Sequence, residues 1–258
     1  MSITQTDLLR VGEFTLHSHQ MDGISDLRSA IGDGVRRVVL QGPCGFGKTI
    51  VATALIHLAR EKNSRVLVLT DSRQLVYQMS DKLQRCGIPH SIMMAGEEYR
   101  QSAVVVATKQ TMHARCYAKD IVPKPSAQIV IVDEAHKSLT GKWIEILENY
   151  GSACQIGLTA TPEDIGGWWD RIVVAGSYKE LTPQYLAPCR VFIPWQLDMA
   201  GVSSSGGDYV AREAEKRHNQ EALIGDVFAN WNKIAPERRT VVFASGVNHS
   251  VALRDTFI

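Results

Sequence analysis

An eight-residue loop, Gly42-Pro43-Cys44-Gly45-Phe46-Gly47-Lys48-Thr49, does most to limit what this chain can fold into. It reads G-x-x-x-x-G-K-T. The apolar run Arg37-Val38-Val39-Leu40 leads straight into it, and a helical pattern from Thr49 to Arg60 leaves it. Strand, glycine-rich loop and helix form a layout in which backbone N–H groups converge on phosphate at the positive end of a helix. In it, Gly45 and Gly47 let the backbone approach polyphosphate, Lys48 reaches the β- and γ-phosphates, and the Thr49 hydroxyl ligates Mg²⁺. The group expected there is a nucleoside triphosphate with Mg²⁺, although a chance glycine-rich turn would share the pattern. Cys44 reads as a small loop residue rather than a nucleophile.

The rest of the chain supplies the frame that such a loop needs. Strands are expected at 65–70, 102–107, 128–132 and 154–158. Helices are expected at 17–32, 49–60, 73–85, 109–117 and 143–150. Continuous apolar strands alternating with helices imply an α/β fold, a parallel sheet covered on both faces. Ligands in such sheets bind at the carboxyl ends of strands. Further on the pattern loosens. Gly166-Gly167-Trp168-Trp169 reads as a turn with exposed aromatics, Cys189 to Leu197 as a strand, and Gly201 to Gly207 as a linker. Asp208 to Ile234 reads as a helix, Thr240 to Ala244 as a new strand and Val247 to Phe257 as a helix. The domains expected are 1–200, a linker and helix at 201–235, and the opening of a second domain at 236–258.

Two more motifs fall on strand ends. Asp133-Glu134-Ala135-His136 follows Val132. Asp133 can hold Mg²⁺ through water, and Glu134 can orient and deprotonate an attacking water. Two acidic residues at a helix start would also suit an N-cap. Thr159-Ala160-Thr161-Pro162 follows Leu158. Its two hydroxyls can bridge the Mg²⁺ site to a neighbouring surface by hydrogen bonds, though a Pro-stopped turn would read the same way.

The net charge of +1 points to no partner class, so any nucleic-acid surface must be local. Five scattered cysteines without a C-x-x-C pair argue against zinc and against a disulfide framework, and suit a reducing cytoplasm. No apolar run is long enough to span a membrane, and residues 1–15 lack the layout of a signal peptide.

The three motifs in this order resemble the front half of a superfamily 2 helicase of DEAH type. The likeness covers residues 14–162 and is nearest to bacterial RadD-like repair helicases and restriction-enzyme motors. The resemblance implies a RecA-like phosphate-loop NTPase domain followed by the start of a second RecA-like domain. It implies an ATP-dependent helicase or translocase on single-stranded or duplex nucleic acid, DNA before RNA. By it, Gln20 reads adenine, although a lone glutamine is ordinarily a surface residue. Lys48 and Glu134 serve catalysis, Thr49 and Asp133 hold Mg²⁺, and His136, Thr159 and Thr161 couple hydrolysis to strand movement. Leu69 to Leu75 and Ala107 to Thr111 resemble strand-binding motifs, which makes Ser72, Arg73, Thr108 and Lys109 the nucleic-acid contacts. Thr182 to Pro188 resembles the segment leaving the first motor domain, and Val242 to Ser245 the first strand of the second.

Two departures from the family pattern stand out. The family has Leu-Arg-x-Tyr-Gln where this chain has Leu16-His17-Ser18-His19-Gln20. Its remaining second-domain motifs, the arginine finger among them, would lie beyond Ile258, in a remaining motor domain or a partner protein. A different reading is a catalytically incomplete nucleotide- or nucleic-acid-binding fragment that regulates a partner motor. A phosphate-loop small-molecule kinase is a third; the Leu158 to Pro162 string and the lack of an evident lid count against it.

Overall fold

The computed structural model describes residues 10–137, 141–192, 203–205, 208–209, 213 and 221–257. The chain falls into two compact units, Met1–Cys189 and Arg190–Ile258.

The first unit is built on seven parallel strands. They are β3 (Arg37–Gln41), β4 (Val66–Thr70), β5 (Ser91–Met93), β6 (Val104–Thr108), β7 (Ile129–Asp133), β8 (Cys154–Thr159) and β9 (Arg171–Val174), in the order β5-β6-β4-β7-β8-β3-β9. β1 (Arg10–Val11) and β2 (Phe14–Thr15) form a separate antiparallel pair. Alternation within each strand feeds two cores. Val38 and Leu40 of β3 join the Val66, Val68, Val104 and Val106 cluster on one face. Val39 joins Leu67, Leu69, Val105, Val130 and Val132 on the other. Neither face of the inner strands meets water, so those strands read as unbroken apolar runs. Each such side chain contributes about 1.5–3 kcal/mol on burial.

Helices α1 (Ser18–Gly32), α2 (Lys48–Glu61) and α3 (Arg73–Arg85) cover the first face with Ile24, Leu27, Val51, Ile56, Val76 and Leu83. The second is covered by α4 (Lys109–His113) and α5 (Lys142–Glu148), through Met112, Trp143, Ile146 and Leu147. The helix expected over 109–117 is α4 continued as a π-helical turn at Ala114–Ala118.

Several expectations need correction. Trp169 is buried, 5% exposed, and packs in the second core beside Ile165. Its indole is anchored by Gly157, where a Cβ would stand 3.0 Å from the ring. A glycine pair before two aromatics gives no local sign of that. β9, which follows it, carries exposed Ile172 and Val174 and is an edge strand, paired among the described residues only with β3. Cys189 to Phe192 form no strand, and 193–197 lie outside the described residues. The segment read as a linker includes Ser204–Ser205, which pairs with Asp208–Tyr209. Of the stretch read as a helix from Asp208, Asp208–Tyr209 is extended, Glu221–Ile234 is helical, and 210–212 and 214–220 lie outside the described residues. Thr240 to Ala244 joins no ladder, and Val241 and Phe243 are 78% and 94% exposed. A lone strand has nothing to satisfy its backbone groups, so apolar, β-branched composition alone does not make one. In that unit Phe228, Trp231 and Phe257 pack ring to ring at 5.1–5.9 Å, and Trp231 Nε1 donates to Thr240 Oγ1 at 2.7 Å.

Candidate nucleotide site and nucleic-acid edge

Strand order brings the three motifs together. β7, β8 and β3 are neighbours, with Asp133 opposite Leu158 and Gln41 opposite Thr159. The carboxyl end of β7 carries Asp133 and Glu134, that of β8 carries Thr159, and that of β3 opens into the phosphate loop. The loop is tied to the middle strand by Gly42 N donating to Thr159 O at 3.0 Å.

Within the loop, Gly45 and Gly47 have φ of 84° and 86°, the left-handed region that side chains disfavour. Gly47 caps α2, and a Cβ on it would come within 2.4 Å of Gln20 Nε2. Only glycine fits there. Lys48 Nζ donates to the carbonyls of Gly42 and Pro43 at 3.0 and 3.3 Å, so the ammonium lies along the loop. Thr49 sits in the first turn of α2. A groove of about 770 Å³ opens beside it, walled by Arg73, Gln74, Tyr77 and Lys82.

Gln20 is buried beneath the loop. Its Nε2 donates to Phe46 O at 2.9 Å and its Oε1 accepts from His17 N at 3.0 Å, so both ends of the amide are engaged within the chain. Beside it His19 lies 4.3 Å from the Tyr185 ring and 5.0 Å from Phe46. Burial, and then the nearby His17, hold the His19 pKa below the usual range for histidine, against Phe46 and Asp22. Tyr185 OH lies 3.0 Å from Ser18 Oγ, and Leu186 packs under Gly45. The segment Thr182 to Pro188 therefore returns to the phosphate loop, which nothing in its local sequence signals.

The carboxylates are set by backbone geometry. Glu134 has φ of 53°, a strained value for a non-glycine residue. That conformation points Glu134 N at Asp133 Oδ1, 3.1 Å away. Burial first, and Glu134 second, push the Asp133 carboxyl above its usual range; the Glu134 N–H, Lys48 and Lys137 draw it back. A divalent cation would reverse that balance. His136 Nδ1 lies 2.9 Å from Thr159 Oγ1 and 3.5 Å from Glu134 Oε2. Thr159 Oγ1 donates to Thr161 O and accepts from Thr161 N. Thr161 thus meets the network through its backbone.

The four residues read as nucleic-acid contacts lie together on the next strand ends. β4 and β6 pair with Thr70 opposite Thr108, so α3 and α4 start side by side. Ser72 Oγ accepts from Leu75 N and Thr108 Oγ1 from Thr111 N, as helix caps. Arg73 is exposed. Lys109 pairs with Asp71, a contact the sequence reading passed over.

Comparison with known proteins agrees with this geometry. Residues 13–164 match the family described as type III restriction enzyme, res subunit. The type I restriction enzyme EcoAI endonuclease subunit of Escherichia coli is 24% identical over 93% of this chain and 34% of its own length. The chain spans less than half the length of curated relatives that it matches. The UvsW helicase of bacteriophage T4 shares the fold with TM-score 0.52 and 19% identity, over 67% of this chain and 68% of that one. The Sulfolobus solfataricus SWI2/SNF2 ATPase core, solved with dsDNA, gives 0.51 and 16%, over 62% and 36%. The sheet is that of a RecA-like helicase domain, and this chain belongs to the type III restriction enzyme res-subunit family, within the superfamily 2 helicases.

Proposed function

We propose that the chain is the nucleotide-binding motor portion of an ATP-dependent translocase or helicase acting on DNA. The observation that carries this is the adjacency of β7, β8 and β3, which sets two carboxylates, a hydroxyl relay and a phosphate loop on one edge. The residues fit ATP–Mg²⁺. Two left-handed glycines clear the loop, and the donor set of an ammonium, a hydroxyl and a half-buried carboxylate matches polyphosphate and a hard cation. Lys48 and the loop N–H groups would hold the phosphates; Thr49 and Asp133 would hold Mg²⁺, which supplies charge neutralisation when bound. Glu134 would orient a water and take its proton at the carboxylate. His136 and Thr159 would carry that state to β8. DNA is favoured over RNA because the SWI2/SNF2 core sharing this fold was solved with dsDNA.

The short span relative to the relatives supports a second reading, a portion that binds nucleotide and nucleic acid and depends on further domains or a partner for turnover. ATP hydrolysis by the 258-residue chain, with and without single-stranded DNA, separates the two. DNA-stimulated turnover that Lys48→Ala abolishes supports the motor. ATP binding without turnover favours the second reading, and no ATP binding overturns both.

A further inference from the structure

A carboxylate lies between the two helix starts read as the nucleic-acid path. With Ser72 and Thr108 hydroxyls used as caps, Arg73 and Lys109 are the side-chain cations at the starts of α3 and α4. Arg73 projects from an exposed position. Lys109 does not stand equally free: its Nζ is 3.0 Å from Asp71 Oδ1 and 5.0 Å from the centroid of the Trp143 ring beneath it. Asp71 is held in turn by Gln110 Nε2, which donates to Oδ1 at 3.2 Å and to the Asp71 carbonyl at 3.1 Å. The ion pair is partly shielded, the side chains being 20% and 32% exposed.

We infer that Asp71 sets the affinity of this edge for nucleic acid by occupying Lys109, so that a backbone phosphate engages Lys109 only by taking the place of the carboxylate. This rests on the nucleic-acid reading above. The N-terminus of α3, which Asp71 immediately precedes, favours an anion at this spot, and Asp71 is the anion the chain itself supplies. A cation already neutralised by a neighbour releases no counterion when phosphate arrives, so it adds little to affinity or to salt dependence. The carboxylate also repels the backbone within a Debye length. A partly exposed pair is weak enough to exchange with phosphate. Asp71 thus acts on binding through Lys109, as a positioning residue.

The test is the affinity of the full chain for a labelled single-stranded deoxyoligonucleotide across a salt series. Asp71→Asn keeps the shape and the acceptor for Gln110 and removes the charge. It should tighten binding about 3-fold or more and steepen the log–log salt slope by roughly 0.7, the value for one added phosphate contact on a single strand. Lys109→Ala should cost more in the Asp71→Asn background than in the parent, because only there is the ammonium released. Unchanged or weaker binding by Asp71→Asn, or an equal Lys109→Ala cost in both backgrounds, overturns the inference. Arg73→Ala keeps its failure apart from failure of the underlying reading. If Arg73→Ala weakens the parent while Asp71→Asn does nothing, only the role of Asp71 falls; if the parent does not bind at all, both fall.

Discussion

The imidazole of His136 lies 2.9 Å from the hydroxyl of Thr159, joining the turn after β7 to the end of β8. Thr159 is fully buried and also bonds to the Thr161 backbone in both directions. Thr159→Val keeps the volume and removes every one of these contacts. With His136 half-buried and Thr161 exposed, each lost bond costs about 0.5–1.5 kcal/mol. The variant should melt lower, retain ATP binding and lose most DNA stimulation of turnover. Wild-type stimulation in a coupled ATPase assay would show that the relay has no part in coupling.

Lys48→Ala should weaken ATP–Mg²⁺ binding about 10-fold or more, since a charge-assisted bond is worth ~1.5–3 kcal/mol. The ammonium already lies against the Gly42 and Pro43 carbonyls, so little reorganisation precedes binding. Titration calorimetry of mutant and parent checks this; equal affinities would remove the phosphate-loop assignment.

Glu134→Gln preserves shape, and its amide can still hold a water but cannot accept a proton. Affinity for ATP should stay within about 2-fold while turnover falls by ~10²-fold or more. Parent-like turnover would mean that Glu134 is not the base.

Gly157 passes beneath the turn carrying the carboxylates. A Cβ there would stand 2.7 Å from Ala135 Cβ and 2.9 Å from Val39 Cγ2, neither of which can swing aside. Gly157→Ala should therefore destabilise the first unit by ~1–3 kcal/mol and displace Asp133 and Glu134. Thermal melting and Mg²⁺-dependent ATP binding should both decline. An unaffected melt would show that β8 has slack at this position.

Acid should loosen the first unit through His19. Burial lowers its pKa in the folded state, so the unfolded chain binds the proton more readily. The stability associated with neutral His19 is present above the unfolded value near 6.5 and is lost as pH falls through it toward the folded value. His17, Asp22, Phe46 and Tyr185 are the groups around it. His19→Tyr, the residue type the helicase pattern has at this place, should flatten the loss of melting temperature between pH 7 and pH 5. An unchanged slope in that interval would locate the acid sensitivity elsewhere.

The inner strands of the first unit were readable because each is buried on both faces and so must be apolar throughout, as Val66 to Leu69 and Val104 to Ala107 are. The helix Arg73–Arg85 was readable because Gly87-Ile88-Pro89 stops it; its Ser72 cap emerged from the structure. β5 and β9 were not. They are edge strands, with only one side of each in a ladder, and their residues carry a weaker apolar signal. Thr240 to Ala244 misled for the opposite reason: its composition is that of a buried strand, and among the described residues no partner strand lies beside it.

By itself the sequence determined that a glycine-rich loop would follow Leu40 and that carboxylates would follow Val132, because loop glycines and strand-end acids are local chemistry. Only the tertiary structure decided that β8 lies between those two strands, so that Thr159 touches both motifs. It alone decided that Gln20 spends its amide beneath the loop, that Tyr185 returns to His19, and that Asp71 holds Lys109. Those contacts join residues separated by tens of positions along the chain. Their pairing follows from strand order and helix packing, which the whole core settles together, and no short stretch of sequence encodes it.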